Sequence, residues 1–241
     1  MYQEIEPTKE LSHLIQSFWT FSSSGIPAPF KVLPDCCVDL IFDLNQEKAV
    51  VSGVMSKYQM RTLETESNLI GVRFKSEFFS RLSTVPLAET KNLRVEAQQV
   101  VENLDPSMVC RLNERSQTSD QVAFMESCIQ QLLNQTGHEL DELALNVAKK
   151  IRTRKGVINA QKLAASYHIS LRQLERRFKK STGLTMKEFA NLIRFSNAKC
   201  AIAGCKEKSL LAIAFESGFY DHAHMNYEFQ RIAGENPSTF R

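Results

Sequence analysis

LAASYHISLRQLERRFKKSTG at residues 163–183 and IAFESGFYDHAHMNYEFQRIAG at 213–234 say nearly the same thing twice. Leu163-Ala164, Ser170, Phe178, Gly183 and Phe189 answer to Ile213-Ala214, Asp221, Phe229, Gly234 and Phe240. The offset is 50 residues at the first two landmarks and 51 at the last four, so one residue has been gained in the turn of the second copy. Each copy reads as a helix-turn-helix. Ser170 and Asp221 stand at helix N-cap positions, and Gly218 supplies the second turn. Such a unit lays its second helix in the DNA major groove, and two units about one duplex turn (~34 Å) apart can enter successive grooves from one monomer.

The surrounding sequence supports that reading. Leu140, Leu143, Ala144, Val147 and Ile151 share one face of a helix that stops at Gly156, and Ala160–Tyr167 forms the first helix of unit one. Ser170-x-x-Gln173 is a capping box that starts a helix running to about Lys180. A second box, Thr185-x-x-Glu188, opens a helix through roughly Gly204, with Met186, Phe189, Leu192, Ile193 and Ala201 on its apolar side. A helix of ~20 residues spans ~30 Å, so it serves as a rigid spacer between the two units.

In the helix from Ser170, the spacing turns Leu171, Leu174 and Phe178 inward and leaves Arg172, Glu175 and Arg176 toward the groove. Arginine takes guanine O6 and N7 together, and glutamate accepts from a cytosine amine. Gln173 shares that face, although the capping box competes for its side chain. Arg177, Lys179 and Lys180 lie at the edges, where phosphate contacts position without specifying. In unit two, His222, Asn226 and Tyr227 project while Met225 and Phe229 face inward, and His224 completes the candidate DNA-binding set. This head offers no arginine before Arg231, so it is expected to rely more on phosphate and shape. His222 and His224 point about 200° apart on a helix and do not readily share a metal ion. No catalytic residue, metal site or cofactor is expected.

Charge divides the chain in the same place. Residues 140–241 hold 18 Lys/Arg against 9 Asp/Glu, whereas residues 1–139 hold 12 against 18. A basic domain is drawn to polyphosphate, and its acidic companion is repelled by it. At 241 residues with 43% hydrophobic content there is room for two cores. The start MYQEIEPTKE lacks the features of a secretory signal, and no run approaches the ~18 apolar residues of a membrane span. A soluble, cytoplasmic protein without membrane contact is expected. The six cysteines form no CxxC pair, which argues against a disulfide scaffold and a structural metal and leaves most as buried small hydrophobes.

Residues 16–74 are rich in short β-type runs: Ser17–Phe21, Val38–Phe42, Ala49–Val51 and Leu69–Phe74. In the last, Ile70, Val72 and Phe74 alternate as in a half-buried strand. Gly25, Pro27, Pro29, Pro34 and Gly53 read as turns, and a short helix is expected around Glu77–Leu82, before Pro86. From 100 to 137 the period becomes helical, with Val122, Met125, Ile129, Leu132 and Leu133 after the start signals Ser119-Asp120. That stripe suits a dimerisation helix, and it equally suits packing on its own β domain. The expected fold is α+β: a β-rich barrel or jelly-roll-like domain over 1–99, a helical linker over 100–138 and an all-α domain over 139–241 with two helix-turn-helix units joined by a long helix.

Residues from about 140 onward resemble the AraC/XylS family of bacterial transcription regulators. The likeness rests on Leu163-Ala164 with Ser170, Leu174, Arg176, Phe178 and Gly183, then Ile213-Ala214, Gly218-Phe219 and Asp221, and the ending Gly234-Glu235-Asn236-Pro237-Ser238-x-Phe240-Arg241. In the second recognition helix Met225 replaces the usual Phe, Tyr227 an Arg and Gln230 a Lys. The segments at 18–20, 33–42 and 71–74 look like a β-rich sensor-type domain often fused to such regulators. The resemblance implies a sequence-specific regulator, an activator by type, with double-stranded promoter DNA, RNA polymerase and an unknown small-molecule or protein effector as partners, and a homodimer as one assembly. Arg73 is a candidate for an acidic effector and Cys36-Cys37 for oxidant sensing, with a surface arginine and inert buried thiols as the plainer readings. Two rivals remain: an anti-activator acting through protein contacts, and a DNA-repair methyltransferase. The second lacks its cysteine cluster and Pro-Cys-His nucleophile site.

Overall fold

A computed structural model describes residues 1–24, 29–62, 66–205 and 207–241. Its strands are β1 (Tyr2–Ile5), β2 (Ile15–Ser24), β3 (Pro29–Val32), β4 (Cys37–Asp43), β5 (Lys48–Ser52), β6 (Gln59–Thr62), β7 (Glu66–Lys75) and β8 (Arg94–Glu96). Six form one sheet in the order β1-β2-β7-β4-β5-β8, and β3 and β6 form a separate ribbon; all pairs are antiparallel. Because side chains alternate across a strand, Phe18, Leu40, Phe42, Ile70, Val72 and Phe74 share the main core. Trp19, Ile41 and Leu69 make a smaller cluster on the other face. Stacked rings of Phe21 and Phe30, 6.2 Å apart, join the sheet to the ribbon. Gly71 pairs with Trp19 across β2 and β7, and a Cβ there would lie 2.5 Å from the indole. A side chain at 71 would push Trp19 out of the smaller cluster.

Several expectations need correction. β7 is covered on both faces, because Trp19 shields the side expected to meet solvent. Pro29 opens a strand instead of making a turn, as the first strand residue tolerates a missing N–H. Gly25 and Pro27 lie outside the described residues. The short helix, α1, covers only Ser76–Phe79. Cys110, Cys200 and Cys205 are exposed, so half of the cysteines are not core residues.

The remaining helices are α2 (Met108–Asn113), α3 (Thr118–Gln135), α4 (Glu142–Thr153), α5 (Ala160–Ser166), α6 (Leu171–Thr182), α7 (Met186–Gly204), α8 (Leu210–Glu216) and α9 (His222–Ala233). α3 starts one residue before the expected Ser119-Asp120, after Gln117, with no side-chain cap. Its Val122, Met125, Ile129 and Leu132 are buried in the chain's own core, and Arg115 lies 3.9 Å over the Phe124 ring. The stripe that suited a dimer therefore covers its own domain. No helix among the described residues is long and apolar enough to cross a membrane.

One buried cluster runs through both halves of the chain. α1 and the 3-10 turn Leu87–Glu89 pack on α4 and α6. Glu77 of α1 accepts two hydrogen bonds from Arg152 of α4, at 3.0 and 3.1 Å, with the carboxylate buried. The Cys36 thiol donates to the carbonyl of Phe189 on α7, at 3.8 Å. On the far side, the Tyr58 N–H donates to the Ile232 carbonyl of α9 at 2.7 Å, and Lys31 reaches the Ala233 carbonyl and Glu235.

Candidate nucleic-acid interface and the cavity behind it

The two copies fold alike down to single hydrogen bonds. Ile169 N–H donates to the Ala164 carbonyl and Phe219 N–H to that of Ala214, closing the same turn fifty residues apart. His168 and Gly218 occupy equivalent turn positions with φ of +53° and +80°, so the first copy places a histidine where glycine is easiest. Side chains of Ser170 and Asp221 accept from the N–H of Gln173 (3.2 Å) and His224 (2.6 Å). Gly183 and Gly234 end α6 and α9 in the left-handed conformation. Phe178 meets Phe189 edge-on at 5.4 Å, as Phe229 meets Phe240 at 5.6 Å. The residue gained in the second copy is Tyr220, 84% exposed, whose N–H donates to His224 Nδ1 at 3.2 Å.

On α6, Leu174 and Phe178 are fully buried, each burial contributing about 1.5–3 kcal/mol. Arg172, Gln173, Glu175, Arg176, Lys179 and Lys180 are exposed. Only the serine half of the Ser170 box forms, leaving the Gln173 side chain uncommitted, whereas the Thr185–Glu188 box is complete. Arg177 is engaged elsewhere: its guanidinium grips Asp141, the N-cap of α4, at 2.6 and 2.7 Å. On α9, Met225 and Phe229 are buried and Tyr227 is 65% exposed. His222 and Asn226 are half-buried and approach each other at 3.5 Å. His224 packs edge-on against Phe219, besides accepting from Tyr220, and Arg231 is paired with Glu228 at 2.6 Å. The second head is thus poorer in free donors than the first.

α7 carries a bracket that sequence reasoning missed. Asn191 donates to the buried Glu228 carboxylate at 3.0 Å, and Arg194 donates to the Gly218 carbonyl at 3.1 Å while also contacting Asn191. The spacer therefore holds both the turn and the reading helix of unit two. Asn191 and Arg194 lie one turn apart on α7, the spacing that could have signalled a shared contact.

Behind the heads, between the sheet and the ribbon, lies a cavity of about 610 Å³ whose wall includes Trp19, Asp39, Arg61, Arg73, Arg94 and Lys199. Arg73 is half-buried, not a surface arginine, and pairs with Asp39 (3.0 Å), Glu4 (3.1 Å) and Asp35 (3.2 Å). Burial alone would lower its pKa, but Asp39 and Asp35 outweigh that and hold the guanidinium above its ordinary value. Asp39 also accepts from Trp19 Nε1 at 2.9 Å. Burial pushes its carboxyl up from 3.8 to about 6, with Arg73 opposing and Asp35 adding to the rise. The Cys36 and Cys37 thiols are pushed well above their ordinary value by burial, so neither is the reactive thiolate that oxidant sensing needs.

Residues 3–96 match a family described as "Domain of unknown function (DUF6597)", and residues 163–241 match one described as "Helix-turn-helix domain". Over 81 residues the chain is 35% identical to the HTH-type transcriptional activator RhaS of Klebsiella pneumoniae (strain 342), a match covering 34% of this chain and 29% of that protein. RhaS of Escherichia coli (strain SE11) is 32% identical over 84 residues, covering 35% and 30%. The chain thus spans under a third of the length of these relatives. Among solved structures, ToxT from Vibrio cholerae (P21 form) aligns with a TM-score of 0.49 at 12% identity, over 92% of this chain and 97% of that one. ToxT from Vibrio cholerae O395 aligns at 0.45 and 14%, over 99% and 95%.

Proposed function

We propose that this chain, which belongs through its C-terminal helix-turn-helix domain to the AraC/XylS family, is a transcription regulator that binds promoter DNA sequence-specifically with both of its helix-turn-helix units. The observation that carries the reading is the face of α6, where Arg172, Glu175 and Arg176 stand exposed above the buried Leu174 and Phe178. Arg172 and Arg176 are the base readers, with Gln173 and Glu175 beside them and Lys179 and Lys180 on phosphate. Arg177 and His224 act by positioning, since Asp141 and Tyr220 engage them. His222, Asn226 and Tyr227 form the more permissive second reader. Residues 1–99 serve as the sensor, 100–138 as linker and 139–241 as the DNA-binding domain. Support for sensing is that the cavity has walls from both the sheet and α7.

Fluorescence-anisotropy titration of the full chain against its promoter fragments and random DNA tests this. Arg172→Ala or Arg176→Ala is expected to relax preference at one or two base pairs, at about 1–3 kcal/mol each, while Lys180→Ala weakens all sequences alike. A folded chain without DNA affinity at low salt would favour the protein-contact rival.

A further inference from the structure

Two guanidiniums in the cavity wall, those of Arg61 and Arg94, have no ion-pair partner among the described residues. Arg73 has three carboxylates around it, Arg152 is paired with Glu77, and Lys31 with Glu235. Arg61 of β6 donates only to the Gln59 side-chain oxygen, and Arg94 of β8 has no hydrogen-bond or ion-pair partner among the described residues. Both line one cavity; burial lowers the pKa of each, and Arg61 lowers that of Arg94 further while Asp39 opposes. Arg94 is still open to solvent, as expected of a group lining a concave wall. Like charges crowded in a partly desolvated site destabilise the empty state, and an anion between them removes the penalty.

The rest of the wall sets the shape of that anion. Trp19, Phe21, Phe30, Ile41, Leu69 and Phe195 present apolar surface, and the volume falls in the ~300–1,000 Å³ range of small-molecule sites. A bare inorganic anion would leave that surface wet, and a polyol would leave most of its hydroxyls unmatched. A guanidinium fork suits a carboxylate through paired N–H donors. We infer that the cavity binds an amphipathic organic carboxylate, its head held by Arg61 and Arg94 and its apolar body against Trp19, Phe21 and Phe30. Lys199, also in the wall, belongs to α7, so an occupant can touch the helix that joins the two heads. The inference deepens the sensing role proposed above and rests on it only for the consequence at DNA.

Trp19 is the only tryptophan of the chain and lies in the cavity wall, so its fluorescence reports occupancy, with calorimetry as a second readout. The full chain is titrated with phenylbutyrate and octanoate, with their neutral amides, and with inorganic phosphate. Both acids are expected to bind saturably and at least about tenfold more tightly than the amides, the scale of a charge-assisted pair. The double variant Arg61→Gln/Arg94→Gln is expected to erase that preference with an unchanged circular dichroism spectrum. Should it fail to fold, Arg94→Lys, which keeps the charge and loses the fork, is expected to weaken the acids severalfold. Equal binding of acids and amides, acid binding indifferent to the arginine variants, phosphate alone competing as well as the acids, or no acid binding at millimolar concentration would each overturn the assignment. DNA affinity measured without added acid on the same preparation tests the DNA-binding reading separately, so either can fail alone.

Discussion

Replacing Arg152 by methionine should strip the clamp between the β domain and α4. Glu77 is 4% exposed and Arg152 27%, and the two share hydrogen bonds of 3.0 and 3.1 Å. Without Arg152 the Glu77 carboxylate stays in the core with its countercharge gone, and breaking a buried pair in this way costs about 3–5 kcal/mol. The reverse change, Glu77→Gln, should cost less, roughly 1–3 kcal/mol, because the partly exposed Arg152 can still be solvated and also lies 4.9 Å over the Phe189 ring. The double variant should recover most of the loss, since neither charge is then stranded. Urea unfolding followed by Trp19 emission measures all three, and at a slope of about 1–3 kcal/mol per molar the Arg152 variant should shift the midpoint by a molar or more. A loss under ~1 kcal/mol for Arg152→Met, or a double variant as unstable as the sum of the singles, would refute a buried pair that couples the domains.

Asp39, with its pKa raised above the unfolded value, favours the fold most when protonated: its contribution is fully present below about pH 3.8 and is lost as pH rises through about 6. Trp19 emission should titrate with a midpoint near 6 and lose that step in Asp39→Asn; a flat profile in the parent chain would contradict it. Gly183→Ala should lower the melting temperature by several degrees, because φ is +74° and the new Cβ would sit 2.9 Å from the Leu87 carbonyl oxygen. At the equivalent turn position His168→Gly should cost nothing, or stabilise by up to about 1 kcal/mol, and a clear loss would show that the histidine ring contributes. His222→Ala should weaken DNA binding less than Arg176→Ala; the reverse order would make α9 the main reader.

The duplicated units were legible in the sequence because what builds them is local. Caps at Ser170, Thr185 and Asp221, inward Leu174, Phe178, Met225 and Phe229, and Gly218 in the turn all act within a helical turn or two. The strands around Phe18 and Leu40 were legible as short β-type runs, and the one around Val72 as an alternation of period two. The tertiary structure decided which faces met. Arg177 looks like its neighbours on α6 until Asp141, 36 residues away, takes its guanidinium. The α3 stripe carries no mark saying that its own core will cover it. Arg61 and Arg94 carry no signal in the sequence until β6 and β8 bring them to one cavity, and Gly183 and Gly234 are only landmarks of the repeat until Leu87 and Tyr58 close on them. Periodicity records what a side chain meets within its own element; which distant element arrives opposite depends on how all the apolar faces are buried at once.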